Sequence, residues 1–257
     1  MKYYEQLLQW RCFTNSDVAR LTGNKSTADS LISAYKKKGL IESIHKDLFA
    51  AISLETRQPA ASRFNIATKV APDAVISHHS AFEFYGVSDN CCFEMYSATS
   101  TRFRPFEYRG ISYLPVPRGI ESGIEEQMGG VRVTDLERTA LDSINDFERI
   151  GDLGEVVRCL KLIPSLKAEK LLSYLPEYHS GYLYQKVGYI LSQCKELYLP
   201  DKFFDICRAN IPVSKRYLYK GLQMHKHVFS EEWRLYVPPS LADMAWGIHE
   251  GIPNDGR

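Results

Sequence analysis

The sequence predicts an α/β protein of the α+β kind: an N-terminal winged helix-turn-helix, then a larger mixed α/β domain with a mostly antiparallel sheet and a C-terminal helical cluster. Three observations carry that expectation. Residues 1–57 hold three helix-length apolar patterns with capping residues, then two β-prone runs around a polar tip. Residues 75–134 break into short β-branched and aromatic runs punctuated by Pro and Gly, and residues 134–209 return to helical spacing. At 257 residues the chain fits two domains, and "SLETRQPAAS" (53–62) supplies a polar boundary between 1–57 and 58–257.

"YYEQLLQWR" places Tyr4, Leu7, Leu8 and Arg11 at helical spacing. "TNSD" is expected to cap a second helix through Asn15, with Val18, Ala19 and Leu21 as its apolar face. After the turn "LTGNKS", Ser26 is expected to cap a third helix, with Asp29 completing a capping box and Gly39 stopping the helix. "LIESI" and "LFAAI" then form a hairpin around "HKD". Beyond the boundary, "SRFNIATKVA" and "SHHSAFEFYG" read as helices around the strand "DAVIS". "FEMYSAT", "RFRPFEYRG", "ISYLPVP" and "GVRVT" read as strands. Helices are expected at 134–148, 152–162, 167–174, 181–196 and 200–209, and "VSKRYLYKGL" to "EEWRLYVP" returns to β. The tail "SLADMAWGIHEGIPNDGR" carries no clear pattern.

A net charge of +1 means that any nucleic-acid site is a local patch. Residues 1–57 are the basic part: nine Lys or Arg stand against six Asp or Glu, a surplus of three. Six cysteines without a C-x-x-C, and a polar start "MKYYEQLLQWR" unlike a signal peptide, predict reduced thiols in a cytoplasmic protein. No apolar run approaches the roughly 20 residues that cross a bilayer, so no membrane partner is expected.

On a wheel of about 100° per residue, Ala28, Leu31, Ile32 and Tyr35 form the buried stripe of the third helix. Ser26, Ser30, Ser33, Ala34 and Lys37 fall opposite, with Thr27 at the edge. Such a face offers hydroxyl and ammonium donors without bulk, which a helix entering the major groove requires. Asn24, Lys25, Ser26 and Thr27 at its start, with Ser30 and Ser33, are the expected groove readers. Lys36, Lys37 and Lys38, with His45 and Lys46 at the hairpin tip, are the expected phosphate contacts. The competing reading is a solvated helix face or a winged helix used for protein contacts.

Catalytic and metal chemistry find little support. Cys91-Cys92 is adjacent and has no second pair, His225-x-His227 lacks a third ligand, and His78 and His79 diverge, so no metal or cofactor is expected. No phosphate-loop, dinucleotide, nucleophile-elbow or H-E-x-x-H motif occurs. "VSKRYLYK" mixes three basic residues with aromatics, and reads either as a phosphate-contacting stretch or as a solvated strand face. In "VTDLERTALDSI" (133–144), Glu137 and Asp142 project about 140° apart on a helix and cannot share a substrate. Thr134 and Glu137 have capping-box spacing, and Asp135, Arg138 and Asp142 line up as an outward ion ladder.

The N-terminal pattern, "VISHHSAFEFYGV" (75–87) and "VRVTDLERTALDSI" followed by "GDLGEVVRCL" occur in an order that resembles the AbiEi family, the antitoxin and transcriptional-regulator component of abortive-infection (type IV) toxin–antitoxin systems. The resemblance spans residues 1–210; Phe82 stands where the family pattern has Leu. It implies a repressor that binds double-stranded DNA at inverted repeats in its own operator, and a C-terminal domain that counteracts a cognate nucleotidyltransferase toxin without an obligatory stable complex. It implies no enzyme activity. The alternatives are a winged-helix protein with a nuclease or phosphodiesterase domain using Asp142 or Glu137, and a solitary regulator.

Overall fold

In the computed structural model, which describes residues 2–90, 92–150 and 152–241, short polar residues decide where the first helices begin. α1 (Tyr4–Trp10) leads into a strand, β1 (Cys12–Thr14), and Thr14 then caps α2 (Asn15–Thr22). The Thr14 hydroxyl accepts the Asp17 amide while the Asp17 carboxylate accepts the Thr14 amide, so the cap lies one residue before the expected Asn15. Thr14, still extended at the end of β1, has the non-helical backbone that a cap needs. α3 (Lys25–Lys37) likewise starts earlier than expected: Asn24 Oδ1 accepts the amides of Ser26 at 2.8 Å and Thr27 at 3.2 Å. The expected Ser26–Asp29 box does not form, and Asp29 instead accepts from Asn15 Nδ2 at 2.7 Å. Gly39, at φ +66°, takes the left-handed turn that ends the helix, as the sequence predicts.

β2 (Ile41–His45) and β3 (Leu48–Ala51) form the expected hairpin, turning at Lys46 and Asp47. β1 adds to the other side of β3, giving the order β1-β3-β2. Tyr4, Leu7, Phe13, Val18, Ala28, Ile32, Tyr35 and Phe49 are buried together beneath these elements.

The chain divides into two compact units, Met1–Ser80 with Cys92–Arg118 and Ile124–Thr134, and Ala81–Cys91 with Gly119–Gly123 and Asp135–Arg257. Residues 1–57 therefore share the first unit with a second sheet. Its elements are α4 (Arg63–Ala67), β4 (Val75–Ile76), α5 (His78–Phe84, which ends in the second unit), β5 (Glu94–Thr99), β6 (Phe106–Tyr108), β7 (Ile111–Pro117), β8 (Ile124–Gln127) and β9 (Val131–Thr134). The strand order is β6-β7-β5-β4-β9-β8; β5–β7 and β4–β9 are parallel and the other three neighbours antiparallel. β8, a polar "IEEQ", is absent from the sequence reading because it lacks an apolar alternation.

The second unit is built on α6 (Leu136–Ile150), α7 (Leu153–Leu162), α8 (Ala168–Tyr174), α9 (Gly181–Ser192) and α10 (Asp201–Ala209). α9 stops four residues short of the expected 196, where Gln193 and Cys194 turn into a single 3-10 turn. A small sheet follows: β10 (Arg216–Tyr217), β11 (Val228–Ser230) and β12 (Leu235–Val237), in the order β10-β12-β11. Leu141, Ile144, Leu160, Leu183, Ile190, Phe203 and Trp233 lie in the core of this unit. The fold is α+β, as the sequence predicts. Cys91 and the tail beyond Leu241 lie outside the described residues. Among those residues, no helix is long and apolar enough to cross a membrane.

Candidate nucleic-acid interface

The cap that starts α3 also orients it. Ala28, Ile32 and Tyr35 point into the core, so Asn24, Lys25, Ser26, Thr27, Ser30, Ser33 and Lys37 stand exposed along the opposite side. Leu31, placed in the buried stripe from the sequence, is only half-buried at its margin. Asn24 uses its side-chain oxygen on the helix backbone, which leaves its amide nitrogen for outside contacts. Asp29, the acidic residue on this helix, is held toward α2 by Asn15. Lys25 and Lys37 are separated by twelve residues, or about 18 Å of helix at about 1.5 Å per residue. The two ends of the face therefore meet different parts of any bound duplex.

The remaining predicted residues are less uniform. Lys36, Lys37 and Lys38 are all exposed, with the Lys36 ammonium 5.9 Å from the Phe49 ring centroid, on the side of the hairpin. Lys46 is exposed at the hairpin turn, next to Asp47 in a left-handed conformation. His45 is half-buried: its ring stacks on Phe106 at 4.2 Å and 12°, and Phe106 stacks on Tyr113 at 4.9 Å. Glu42 on β2 accepts the Tyr108 hydroxyl and pairs with Arg109 at 3.1 Å, so the hairpin is fastened along β2 to β6. His45 belongs to that fastening, and Lys46 is the cation the hairpin presents outward.

Sequence spacing missed a cleft in the first unit. The hairpin tip, the start of α2, residues 68–72 and the turn between β8 and β9 enclose about 1100 Å³. Lys46, Arg20, Lys69 and Arg132 line it from four separate elements, with Asp17, Asp47 and Glu126 among them. Burial pushes the Asp17 carboxyl up, but hydrogen bonds from the Thr14 backbone and hydroxyl, the Lys69 charge and Arg20 bring it below the ordinary carboxylate value. No signal in the sequence joins residues 20, 46, 69 and 132; the folded first unit does.

The stretch "VTDLERTALDSI" departs furthest from its sequence reading. Asp135, not Thr134, caps α6: its carboxylate accepts the Arg138 amide at 2.8 Å, while the Thr134 hydroxyl donates to the Ile76 carbonyl. Glu137 accepts the Lys167 amide at 2.8 Å rather than closing a capping box. The expected outward ladder is buried, with Arg138 0 % exposed and Asp142 5 %. Arg138 Nε pairs with Asp142 at 3.2 Å and its Nη1 donates to the Ser122 carbonyl, and Tyr178 donates to Asp142 at 2.7 Å. Lys170 and Tyr174 both donate to Asp135 at 2.8 Å. Gly123 permits this closeness: at φ +71° it lies where an added Cβ would meet Arg138 Cβ at 2.9 Å. The wheel gave the right faces and the wrong surroundings, since α8 and the 119–123 segment cover the side expected to face water. The carboxylates of α6 are occupied by donors from this chain.

The cysteine reading agrees with the structure at the five described positions, none of which is in a disulfide, with Cys92 half-buried. Cys12, Cys159, Cys194 and Cys207 are buried, and burial pushes their thiols up, to about 12 for Cys12, Cys159 and Cys207 and about 11 for Cys194. Such thiols are protonated and unreactive at neutral pH.

No protein-family model matches the chain, and no curated protein matches it by sequence. Among solved structures, the crystal structure of the RV2827C protein from Mycobacterium tuberculosis is similar in fold, with a TM-score of 0.61 over 96% of this chain and 93% of that one. The two sequences are 15% identical, so the likeness concerns the fold alone.

Proposed function

We propose that the protein is a sequence-specific DNA-binding regulator whose first 57 residues form a winged helix-turn-helix, with α3 as the groove reader and the β2–β3 hairpin as its wing. The observation that carries this reading is the continuous exposed face of α3, small and hydroxyl-bearing at Ser26, Thr27, Ser30 and Ser33 and cationic at Lys25 and Lys37. The order helix, strand, helix, helix, strand, strand supports it, and the apolar residues of α3 share a core with the three strands while its polar side is exposed. The target is double-stranded DNA with inverted repeats upstream of the protein's own gene, and the protein works in the cytoplasm. Its second role, antitoxin against a cognate nucleotidyltransferase toxin, rests on the resemblance carried by residues 75–87 and 131–160. The phosphodiesterase alternative is the less favoured reading, since Asp142 and Glu137 are buried and bonded to Arg138, Tyr178 and Lys167.

The test is a titration of the duplex upstream of the gene with the wild-type chain and a Ser26→Ala, Ser30→Ala, Lys37→Ala variant. The triple variant is expected to lose at least about tenfold in affinity, and Lys37→Ala alone to lower the salt-dependence slope by about 0.9 per lost phosphate contact. Wild-type affinity in the triple variant would remove α3 as the reader.

A further inference from the structure

The loop between β5 and β6, residues 100–105, carries two arginines beside the hairpin of the first unit. Its start is fastened by Asp73, whose carboxylate accepts the Ser100 amide and the Thr99 hydroxyl, each at 2.6 Å. Its end is fastened by Phe106, whose ring stacks on His45 at 4.2 Å, and the Phe103 ring sets its edge against Phe106 at 6.4 Å. Tyr108 bonds to Glu42 while Phe106 stacks on His45, so β6 and β2 pass each other in opposite directions. Followed backwards from Phe106, the chain therefore leads toward the hairpin tip at Lys46. Arg104 stands two residues before Phe106, within about 7 Å of it along the chain. Phe103 is half-buried, and it leaves an exposed guanidinium on each side, Arg102 and Arg104.

These two arginines differ from others in the same unit. Arg20, Arg109 and Arg118 pair with Asp17, Glu42 and Asp73, whereas Arg102 and Arg104 form no ion pair or hydrogen bond among the described residues. Glu107 is the exposed acid nearest to them in sequence. It alternates with Phe106 and Tyr108 on β6, so it points to the opposite face of that strand from the two rings that meet β2. The hairpin tip in turn adjoins α3: the Asp47 carbonyl accepts the Asn15 amide at 3.3 Å, and Asn15 Nδ2 donates to Asp29, in the second turn of α3, at 2.7 Å. The N-terminal half of α3, the hairpin tip and the 100–105 loop are thus neighbours in succession.

We propose that Arg102 and Arg104 form a second arm of the DNA interface, gripping phosphates of the duplex on the far side of the hairpin from α3. This inference rests on the reading of α3 as the groove reader, and it adds a contact from outside the first 57 residues. A guanidinium with no carboxylate partner is free to take a phosphate with two parallel hydrogen bonds, which a lysine ammonium cannot do. The hairpin itself offers Lys46, a single point charge beside Asp47, and the arm supplies two further cations next to it. A loop fastened at both ends also loses little freedom when it meets the backbone. Such contacts position the duplex without reading bases, so the arm adds affinity and not sequence preference. Arginines that are merely solvated would add neither, and salt dependence separates the two accounts.

The experiment titrates the full chain against the duplex upstream of the gene and a duplex of shuffled sequence, at salt from about 50 to 200 mM. Arg102→Gln with Arg104→Gln is expected to bind both duplexes about tenfold more weakly, with a salt slope lower by about 1.8 for two lost phosphate contacts. Its preference for the upstream duplex should be that of the wild type. Arg102→Lys with Arg104→Lys should keep most of the slope. Lys215→Gln with Lys226→Gln removes the same charge from exposed positions of the second unit and should change nothing. Wild-type affinity and slope in the Arg102/Arg104 glutamine variant, or an equal loss in the Lys215/Lys226 variant, would overturn the arm. The Ser26→Ala, Ser30→Ala, Lys37→Ala variant separates the two readings. Wild-type binding there, beside a loss in the arginine variant, removes α3 as reader and leaves the arm as a phosphate contact; the reverse pattern removes the arm alone. A wild-type chain that binds neither duplex at micromolar protein removes both.

Discussion

Arg138 shows how far a single side chain can carry a unit. It is wholly buried and ties α6 to itself through Asp142 and to the 119–123 segment through the Ser122 carbonyl. Removing one partner of a buried ion pair leaves the other charge without compensation, a loss of about 3–5 kcal/mol. Arg138→Ala should therefore lower unfolding free energy by about that amount in urea denaturation, and Tyr178, which also donates to Asp142, is too weak a substitute to restore it. An effect under about 1 kcal/mol, the range of exposed pairs, would mean that Arg138 faces water after all. The spacing of Arg138 and Asp142 was legible in the sequence; their burial was not, because a helical wheel ranks faces against each other and says nothing of what covers each one. The same limit applies to His45, which looks like a free wing-tip cation in sequence and is stacked on a ring from residue 106.

Elements were more legible than residues where they were long and periodic, and less so where a neighbour made them. α3 emerged with three of its four expected stripe residues buried, Ala28, Ile32 and Tyr35, and with its end at Gly39 correct, because thirteen residues of helical spacing carry their own signal. β1 is three residues long and exists because β3 offers it an edge, so nothing in "CFT" alone announces it. The caps moved by one and two residues for a related reason: Thr14 and Asn24 were chosen over Asn15 and Ser26 by the backbone entering each helix. α9 owes its place to a glycine that the sequence left unremarked. A Cβ on Gly188 would come within 2.0 Å of the Trp233 ring, and that ring is itself 1 % exposed. Gly188→Ala should cost at least about 3 kcal/mol, the upper end of ordinary overpacking, because a buried indole has nowhere to retreat. Urea denaturation followed by far-UV circular dichroism would measure it, and an unchanged midpoint would show that α9 does not rest on Trp233.

Over the whole molecule, the acid limb of stability follows from carboxylates held ionised by their surroundings. Asp73 is the strongest case: burial pushes its carboxyl up, but the Thr99 hydroxyl and the Ser100 amide, each donating at 2.6 Å, hold it well below the usual range. Arg118 stands 3.5 Å away. Asp17 is lowered in the same direction. A carboxyl whose folded pKa lies below its unfolded value binds fewer protons when folded, so its contribution is complete above the unfolded pKa of about 3.9 and is lost as pH falls through the folded one. Stability should thus hold from neutrality down to about pH 4 and fall steeply below it. Both groups lie in the first compact unit, so that unit should be the first to lose structure in acid. Asp73→Asn keeps one acceptor for Thr99 while removing the titration. Its stability should be lower than wild type at neutral pH and should converge with it as the pH drops below about 3. Urea midpoints measured for both chains between neutral pH and pH 2 test this directly. Parallel curves with a constant gap would show that Asp73 titrates as it does in the unfolded chain, and that its three donors do not hold its charge.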